Sequence, residues 1–144
     1  MARSKMAKSE RRPSEVTDDY WLQASRKTGT YPDDTPRSGK WLVFVKKERL
    51  DDLWAQIKQA AEEGRLGDAA KTSTARTNAN AKDSAAGVIC VYTYDWTDEA
   101  DVKRIREELR ALGVTWKIPY KSDHDTLEGK YAVRGHTRTS KYYE

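Results

Sequence analysis

Two amphipathic helical patterns, each followed by a glycine, constrain the fold of this chain most. In the first pattern, apolar residues recur on one helical face ahead of Gly64: Leu50, Leu53, Trp54, Ile57, Ala60 and Ala61. In the second, the same spacing precedes Gly113, and Thr97 or Asp98 is placed to cap the start: Val102, Ile105, Leu109 and Leu112. Glycine suits the left-handed residue that ends a helix. The spacing therefore predicts two helices, each with one buried face.

Runs of strand-like residues alternate with these helices. Residues 41–45 form an unbroken apolar run, which we interpret as a central strand covered on both faces. Residues 69–74, 88–94 and 115–118 predict three further strands. The order strand, helix, strand, strand, helix, strand favours an α+β sandwich, with two helices on one face of a curved sheet.

The basic residues are concentrated at the two ends of the chain. Residues 1–15 carry five Lys or Arg against two Glu, and residues 130–144 carry four against one, so each end contributes +3. The formal net charge is +4, which leaves −2 for the rest of the chain. Low apolar content predicts a disordered basic arm over residues 1–16, a single α+β domain over 17–134 and a basic tail over 135–144. Basic arms are typical of polyanion-binding proteins, but solvated tails have the same composition.

The sequence disfavours several classes of protein. No apolar run approaches the length of about 20 residues that a membrane helix needs. The first residues lack the apolar stretch of a secretory signal, so we expect a cytoplasmic protein with no membrane partner. Cys90 is the only cysteine and lies in an apolar run, which indicates core packing. Neither a zinc-ligand spacing nor a phosphate-loop motif is present, so we expect no cofactor and no metal.

A dense polar segment after the second helix offers the chemistry of a phosphate site. Lys121 stands next to a hydroxyl there, and Lys71 does so at the corresponding place of the first half. A lysine with hydroxyl donors can hold a phosphate through charge-assisted hydrogen bonds. The candidate ligand-binding residues are Lys71, Thr72, Ser73, Tyr120, Lys121, Asp123, Thr126, Tyr131 and Arg134. In this hypothesis the lysines hold phosphate, the hydroxyls donate hydrogen bonds, a tyrosine stacks or bonds, and Asp123 orients a lysine. The alternative is that the lysines only solvate strand ends while the tyrosine rings pack.

Four segments in matching order resemble one protein family: residues 39–44, 71–74, 88–93 and 120–123, the last with Thr126, Gly129 and Tyr131. The likeness covers residues 38–134 and is to the basophilic-leukaemia-expressed protein family. It implies a fold similar to the cap-binding translation initiation factor, a curved antiparallel sheet backed by helices. A cap pocket needs two aromatic rings around a methylated base. Trp41 and Trp54 read as core residues, which leaves Trp21, Trp96 and Trp116 as the less constrained candidates.

We therefore expect an α+β domain that binds a phosphate-bearing ligand, with RNA or a nucleotide as the preferred partner. Two alternatives stay open. Some members of the resembled family are labelled phosphothreonine-lyase-like. For that elimination, Lys71 or Lys121 would act as base and His124 as acid, with Arg76 or Arg134 on the phosphate. A non-catalytic protein-interaction domain is the second alternative.

Overall fold

A computed structural model describes residues 11–76, 86–124 and 141–144. The strands are β1 (Trp21–Ser25), β2 (Gly39–Lys46), β3 (Ala69–Ser73), β4 (Ala86–Thr93), β5 (Pro119–Ser122) and β6 (Tyr142–Tyr143). The helices are α1 (Lys47–Glu62) and α2 (Glu99–Ala111), and a short 3-10 helix (Pro13–Glu15) precedes β1. The strands form one curved antiparallel sheet in the order β1-β3-β4-β2-β5-β6.

The pairing of β2 with β4 fixes the two faces of the sheet. Gly39 lies opposite Thr93, and the register continues to Lys46 opposite Ala86. Successive side chains on a strand point to opposite faces, so every second residue of these strands enters the core. Both described helices pack on that buried face; Trp41, for example, is fully buried and donates from Nε1 to the Val102 carbonyl of α2 at 3.1 Å.

The two helices form where the apolar spacing predicts them. The predicted apolar residues of α1 are buried, and Gly64 follows the helix with a φ of +79°. Asp98 caps α2 by accepting a hydrogen bond from the Asp101 amide at 3.2 Å, and Gly113 follows with a φ of +106°. Neither helix is long and apolar enough to span a membrane, and the same holds for the rest of the described chain.

The interpretation of residues 41–45 as a strand covered on both faces is wrong. In β2 the buried residues alternate with more exposed ones, and the side chain of Phe44 is 51% exposed. The strand is nevertheless central, since β4 and β5 flank it. Its apolar residues therefore line two different environments, a dry core and an open surface.

The predicted strand over residues 115–118 is also displaced, because β5 begins at Pro119. The backbone carbonyls of Val114 and Trp116 accept hydrogen bonds from the buried guanidinium of Arg106, at 2.9 and 2.7 Å. These carbonyls are thus bound by a side chain, and β5 takes no part in the sheet until Pro119. Ile118 is the residue of this stretch that pairs with another segment, because its backbone exchanges two hydrogen bonds with Glu144.

The folded unit extends beyond the predicted domain boundaries at both ends. Residues 11–16 are not a disordered arm: Pro13 is buried, and the side chain of Val16 is 2% exposed. At the other end, Tyr142 pairs with Tyr120 as part of β6 and packs on Trp41 with ring centres 6.1 Å apart. Apolar docking explains both corrections. Residues 1–10 and 125–140 lie outside the described residues, as does much of the predicted tail.

Candidate functional site

The face of the sheet opposite the two helices carries a mixture of cationic, aromatic and aliphatic side chains. We call it the open face. It is formed by the residues that alternate with the core residues along each strand: Trp21, Gln23, Lys40, Leu42, Phe44, Lys71, Ser73, Val88, Cys90, Tyr92 and Lys121. The register aligns these residues in rows across the strands. One row contains Gln23, Lys71, Cys90 and Leu42, and the next contains Tyr92, Lys40 and Lys121.

Lys71 lies over the indole ring of Trp21. Its Nζ atom is 4.1 Å from the ring centre, within the range of a cation–π interaction. The β1–β3 register causes this contact, because Trp21 is paired with Ser73 and Lys71 with Gln23. No carboxylate in the described ranges forms an ion pair with Lys71. The site therefore presents an ammonium group against an aromatic surface.

A second cation of the open face, Lys40, is held by an acidic partner. Its Nζ atom is 2.7 Å from Oδ1 of Asp123, and the Ser38 hydroxyl donates to Oδ2 of the same carboxylate at 2.8 Å. The Asp123 amide also donates to the Ser38 carbonyl at 2.9 Å. The lysine lies 6.0 Å from the ring centre of Tyr92. Asp123 thus positions a lysine, and that lysine is Lys40.

Cys90 lies between these two cations. Burial raises the pKa of its thiol to about 11, while Lys71 and Lys40 both act to lower it and Asp123 acts to raise it. The strand register agrees with these influences, since Cys90 of β4 is paired with Lys71 of β3 and Lys40 lies on the neighbouring strand β2. Burial also raises the pKa of Tyr92, with Cys90 and Asp123 adding to the effect. Both groups are neutral at pH 7, so the lysines set the charge of this part of the face.

Four of the predicted ligand-binding residues lie on or beside the open face: Lys71, Ser73, Lys121 and Asp123. The Ser73 oxygen accepts a hydrogen bond from the Val88 amide at 3.0 Å, which leaves the hydroxyl proton available for donation. Two strands separate β3 from β5, so Lys71 and Lys121 are about 14 Å apart across the sheet. They do not converge on a single phosphate group. Lys40 of β2 lies between them in the sheet.

Thr72 and Tyr120 must be removed from the predicted ligand-binding set, because both side chains lie on the buried face. Thr72 is fully buried, and its hydroxyl donates to the Ser73 carbonyl at 3.0 Å. Tyr120 is fully buried against Trp41, and its hydroxyl shares a hydrogen bond of 2.6 Å with Thr93. A ligand on the opposite face of the sheet cannot reach them. The remaining candidates lie outside the described residues: Thr126, Tyr131 and Arg134.

The sequence interpretation missed Lys40 and Tyr92 as site residues. Lys40 directly precedes the apolar run of residues 41–45, and strict alternation from the buried Trp41 places it on the open face. Tyr92 lies within the predicted strand over residues 88–94, where the same alternation applies. Trp21 is among the less constrained rings, but nothing local in the sequence indicates its contact with Lys71.

Arg76, the arginine of the proposed elimination reaction that the structure describes, has partners of its own. Arg76 lies over the Tyr20 ring at 4.4 Å and donates to the Asp18 carbonyl at 3.3 Å, so it is engaged near β1. Arg134 is outside the described residues. No cluster of three potential metal ligands occurs in residues 11–76, 86–124 and 141–144.

A groove runs along α1 on the side of the molecule away from the open face. Its volume is about 580 Å³, and Trp54 lies at its base. The indole Nε1 of Trp54 is buried, and among the described residues it is the one buried side-chain polar atom without a hydrogen-bond partner. The other lining residues carry charges of both signs: Arg11, Arg12, Pro13, Asp51, Asp52, Ala55, Lys58, Gln59 and Glu62. An unpaired buried donor is costly, which is why most such groups have partners.

The sheet order and the two helices on one face define a class, the α+β proteins with an eIF4E-like fold. The chain is similar to schistosome eIF4E complexed with m7GpppA and 4E-BP, with a TM-score of 0.63 and 18% identity over 92% of this chain and 74% of that one. It is similarly related to schistosome eIF4E complexed with m7GpppG and 4E-BP, with a TM-score of 0.62 and 19% identity over the same shares. At this identity the likeness shows the fold alone.

The family of this protein follows from its sequence. The family model of basophilic leukemia-expressed protein Bles03 matches residues 33–127, which is more than half of the chain. The protein belongs to this family. The match includes β2, both helices, β3, β4 and β5, so it contains most of the open face as well as the core beneath it.

Proposed function

We propose that the protein binds a phosphate-bearing ligand, RNA or a nucleotide, on the open face. The observation that carries this proposal is Lys71, which lies over Trp21 without an ion-pair partner in the described residues. A lysine without a carboxylate partner does not have to break an existing ion pair in order to hold a phosphate. The neighbouring row adds Lys40 and Lys121.

The proposed mechanism combines electrostatic capture with contacts to aromatic rings. Lysine ammonium groups attract phosphate oxygens, and the resulting affinity depends on salt because bound counterions are released. A nucleobase can stack on an aromatic side chain, which contributes about 1–3 kcal/mol per base in single-strand-binding proteins. Trp21 and Tyr92 are the rings beside the cations. The Ser73 hydroxyl supplies a neutral donor next to Lys71.

The two solved structures that share the fold are complexed with m7GpppA and m7GpppG. Both ligands are nucleotides with a triphosphate bridge, which supports a nucleotide as the ligand class. The cations that this chain offers on its open face are lysines on β2, β3 and β5, and the comparison at this identity shows the fold alone. We therefore propose the chemical class of the ligand and not a particular cap structure.

Fluorescence anisotropy of a short labelled RNA, titrated at several salt concentrations, tests the proposal. We expect the RNA to bind more weakly as the salt concentration rises. If a nucleotide is sufficient as the ligand, m7GpppG or GTP should compete with the RNA. Lys71→Ala should weaken binding by about fivefold to tenfold. Lys27→Ala is the matched control, since Lys27 is a surface lysine paired with Glu62 of α1. Equal effects of the two substitutions, or no binding of any of these ligands, would remove the open face as the site.

A second function, docking of a protein segment in the α1 groove, is favoured by the unpartnered Nε1 of Trp54. A backbone carbonyl from a partner would satisfy this donor. The schistosome eIF4E structures also contain 4E-BP, which supports a protein partner for this fold.

Calorimetric titration with that 4E-BP tests the second function. We expect Trp54→Phe, which removes the donor and keeps an aromatic ring, to weaken binding by about fivefold. Lys71→Ala should leave this binding unchanged because Lys71 lies on the open face. No heat of binding with the unsubstituted chain would exclude a partner of the 4E-BP type.

A further inference from the structure

Residues 11–16, which we call the N-terminal segment, are fastened to α1 largely through one carboxylate. Asp51 accepts hydrogen bonds from the Ser14 amide at 2.9 Å and from the Ser14 hydroxyl at 2.5 Å. Arg12 lies 3.6 Å from the same carboxylate. Burial of Pro13 and Val16, and a hydrogen bond of 2.9 Å from the Ala75 amide to the Pro13 carbonyl, complete the attachment.

Ser14 also has the sequence context of a kinase substrate. Arginines stand three and two residues before it, in the order Arg11-Arg12-Pro13-Ser14, and no other serine of the chain has arginines at both of these positions. Kinases select substrates partly by charge pattern, and an acidic substrate groove favours such a pair of arginines. Ser14 is exposed to solvent at the surface of the domain.

We propose that Ser14 is a phosphorylation site and that its phosphorylation releases the N-terminal segment from α1. A serine kinase that selects basic substrates transfers the γ-phosphoryl group of ATP to Oγ of Ser14. The bond between the γ-phosphorus and its bridging oxygen breaks, an Oγ–P bond forms, the hydroxyl proton passes to the catalytic base of the kinase, and ADP leaves.

The release follows from the charges that surround the hydroxyl. Phosphorylation removes the proton that Ser14 donates to Asp51 and places a charge of about −1.5 to −2 beside that carboxylate. Glu15, the adjacent residue, adds a second acidic side chain to this part of the segment. Arg12, which lies near both Asp51 and Glu15, is the cation that the phosphate would draw away from them. Each change weakens the attachment of the segment to α1.

The kinase and the helix compete for the same segment. A substrate segment must be free of its domain to enter a kinase groove, and weakly held termini open locally with a low free-energy cost. Phosphorylation then favours the released state because the phosphate interacts better with Arg12 and water than with Asp51.

The release has a consequence that rests on the second proposed function. Arg11, Arg12 and Pro13 form one wall of the groove that contains Trp54. Departure of this wall would give a partner wider access to the unpartnered Nε1 of Trp54. Phosphorylation of Ser14 would in that case strengthen the binding of a partner in the groove.

Phosphorylation of the full chain in vitro, followed by hydrogen exchange, tests the inference without any ligand. The chain is incubated with ATP and the cyclic-AMP-dependent protein kinase, and the modified residue is located by mass spectrometry. We expect Ser14 to be modified faster than any other serine. Exchange in residues 11–16 and at the Ala75 amide should then rise by about tenfold, as for a locally opened segment. Ser14→Ala, treated in the same way, should show no rise.

The Asp51→Asn substitution tests whether charge repulsion causes the release of the N-terminal segment. Asparagine keeps an oxygen that accepts from the Ser14 amide but removes the negative charge that faces the phosphate. The phosphorylated Asp51→Asn chain should therefore show a smaller rise in exchange than the phosphorylated unsubstituted chain. The inference is overturned if Ser14 is not the preferred residue. It is also overturned if exchange in the phosphorylated chain stays unchanged or falls, which would mean that Arg12 and the phosphate strengthen the attachment.

Discussion

The guanidinium of Arg37 and the carboxylate of Asp95 fasten the approach to β2 to the connection between β4 and α2. Arg37 Nη2 lies 2.9 Å from Oδ2 of Asp95, and its Nε is 3.2 Å from each carboxylate oxygen. The next residue, Ser38, donates to Asp123, which in turn holds Lys40 on the open face. The Arg37–Asp95 pair is therefore the first link in a chain of contacts that ends at the candidate site.

Replacing Asp95 should destabilise the fold in a pH-dependent manner. Hydrogen bonds from Thr97, with further contributions from Arg37 and Thr35, hold the pKa of Asp95 well below its usual value against the opposing effect of burial. At pH 7 we expect Asp95→Asn to lower the free energy of unfolding by about 2 kcal/mol, because charge-assisted hydrogen bonds are lost. The folded pKa lies below the unfolded value. The stabilisation is therefore complete above about pH 4 and declines as the pH falls further.

Urea denaturation at pH 7 and pH 3 checks this expectation. The difference between the unsubstituted chain and Asp95→Asn should narrow at pH 3. Asp33→Asn, at an exposed aspartate, serves as the control and should change little at either pH. A difference of equal size at both pH values would contradict the assigned role of the Asp95 carboxylate.

Gly39 is required by the ring that packs against it. A Cβ atom added there would lie 2.6 Å from two ring carbons of Tyr120 and closer still to the hydroxyl oxygen. The ring cannot yield easily, because Thr93 holds its hydroxyl and Trp41 packs against it in a T-shaped arrangement with ring centres 5.3 Å apart. We expect Gly39→Ala to cost about 1–3 kcal/mol in thermal or urea unfolding. At Gly87 the nearest atom is the flexible end of Leu50, at 2.7 Å, so Gly87→Ala should cost less.

Sequence periodicity predicted the helices well and the environment of the strands less well. The spacing of apolar residues located α1 and α2 because a helix buries one stripe of its surface. In β2, however, Leu42 and Phe44 are as apolar as their buried neighbours but lie on the open face. Composition alone does not reveal which face of a strand is covered. That depends on where the helices pack, which is a tertiary property.

Only part of the candidate site could be predicted, because the face on which a side chain lies and the strand beside it are also tertiary properties. Lys71 and Lys121 stood out as cations beside hydroxyls, but alternation sends Thr72 and Tyr120 to the opposite face. The contact between Trp21 and Lys71 depends on the register of β1 against β3, which pairs residues that are far apart in sequence. The attachment of Val16 and Tyr142 likewise depends on surfaces that other elements create.

Arg106 should be intolerant of replacement even by lysine. Its guanidinium donates to three backbone carbonyls: Val114 at 2.9 Å, Trp116 at 2.7 Å and Glu144 at 2.8 Å. A lysine ammonium cannot span this fork of acceptors. We expect Arg106→Lys to lower the free energy of unfolding by about 2–4 kcal/mol, because buried carbonyls lose their donors.

Hydrogen exchange locates this effect. Ile118 and Glu144 exchange backbone hydrogen bonds beside Arg106, so their amides should exchange faster in the variant. Arg104→Lys is a control on the same helix, since Arg104 is partly exposed and donates to the carbonyl of Arg65. If the two substitutions have equal effects, the carbonyl fork is not what makes Arg106 necessary.

The reactivity of Cys90 reports on the charges of the open face. Its pKa of about 11, raised by burial, leaves few thiolates at pH 8. The folded chain should therefore react with a disulfide reagent at least about a hundredfold more slowly than the urea-unfolded chain, because the thiolate is the reactive form.

The charged neighbours of Cys90 should change this rate, because Asp123 raises the pKa of the thiol and Lys71 lowers it. At pH 8 we expect Asp123→Asn to react faster than the unsubstituted chain and Lys71→Gln to react more slowly. A phosphate-bearing ligand on Lys71 should slow the reaction further, since it neutralises a cation near the sulfur. Equal rates in all three chains would mean that Lys71 and Asp123 lie too far from Cys90 to change its pKa. The lysine would then not lie at the centre of the open face, as the proposed site requires.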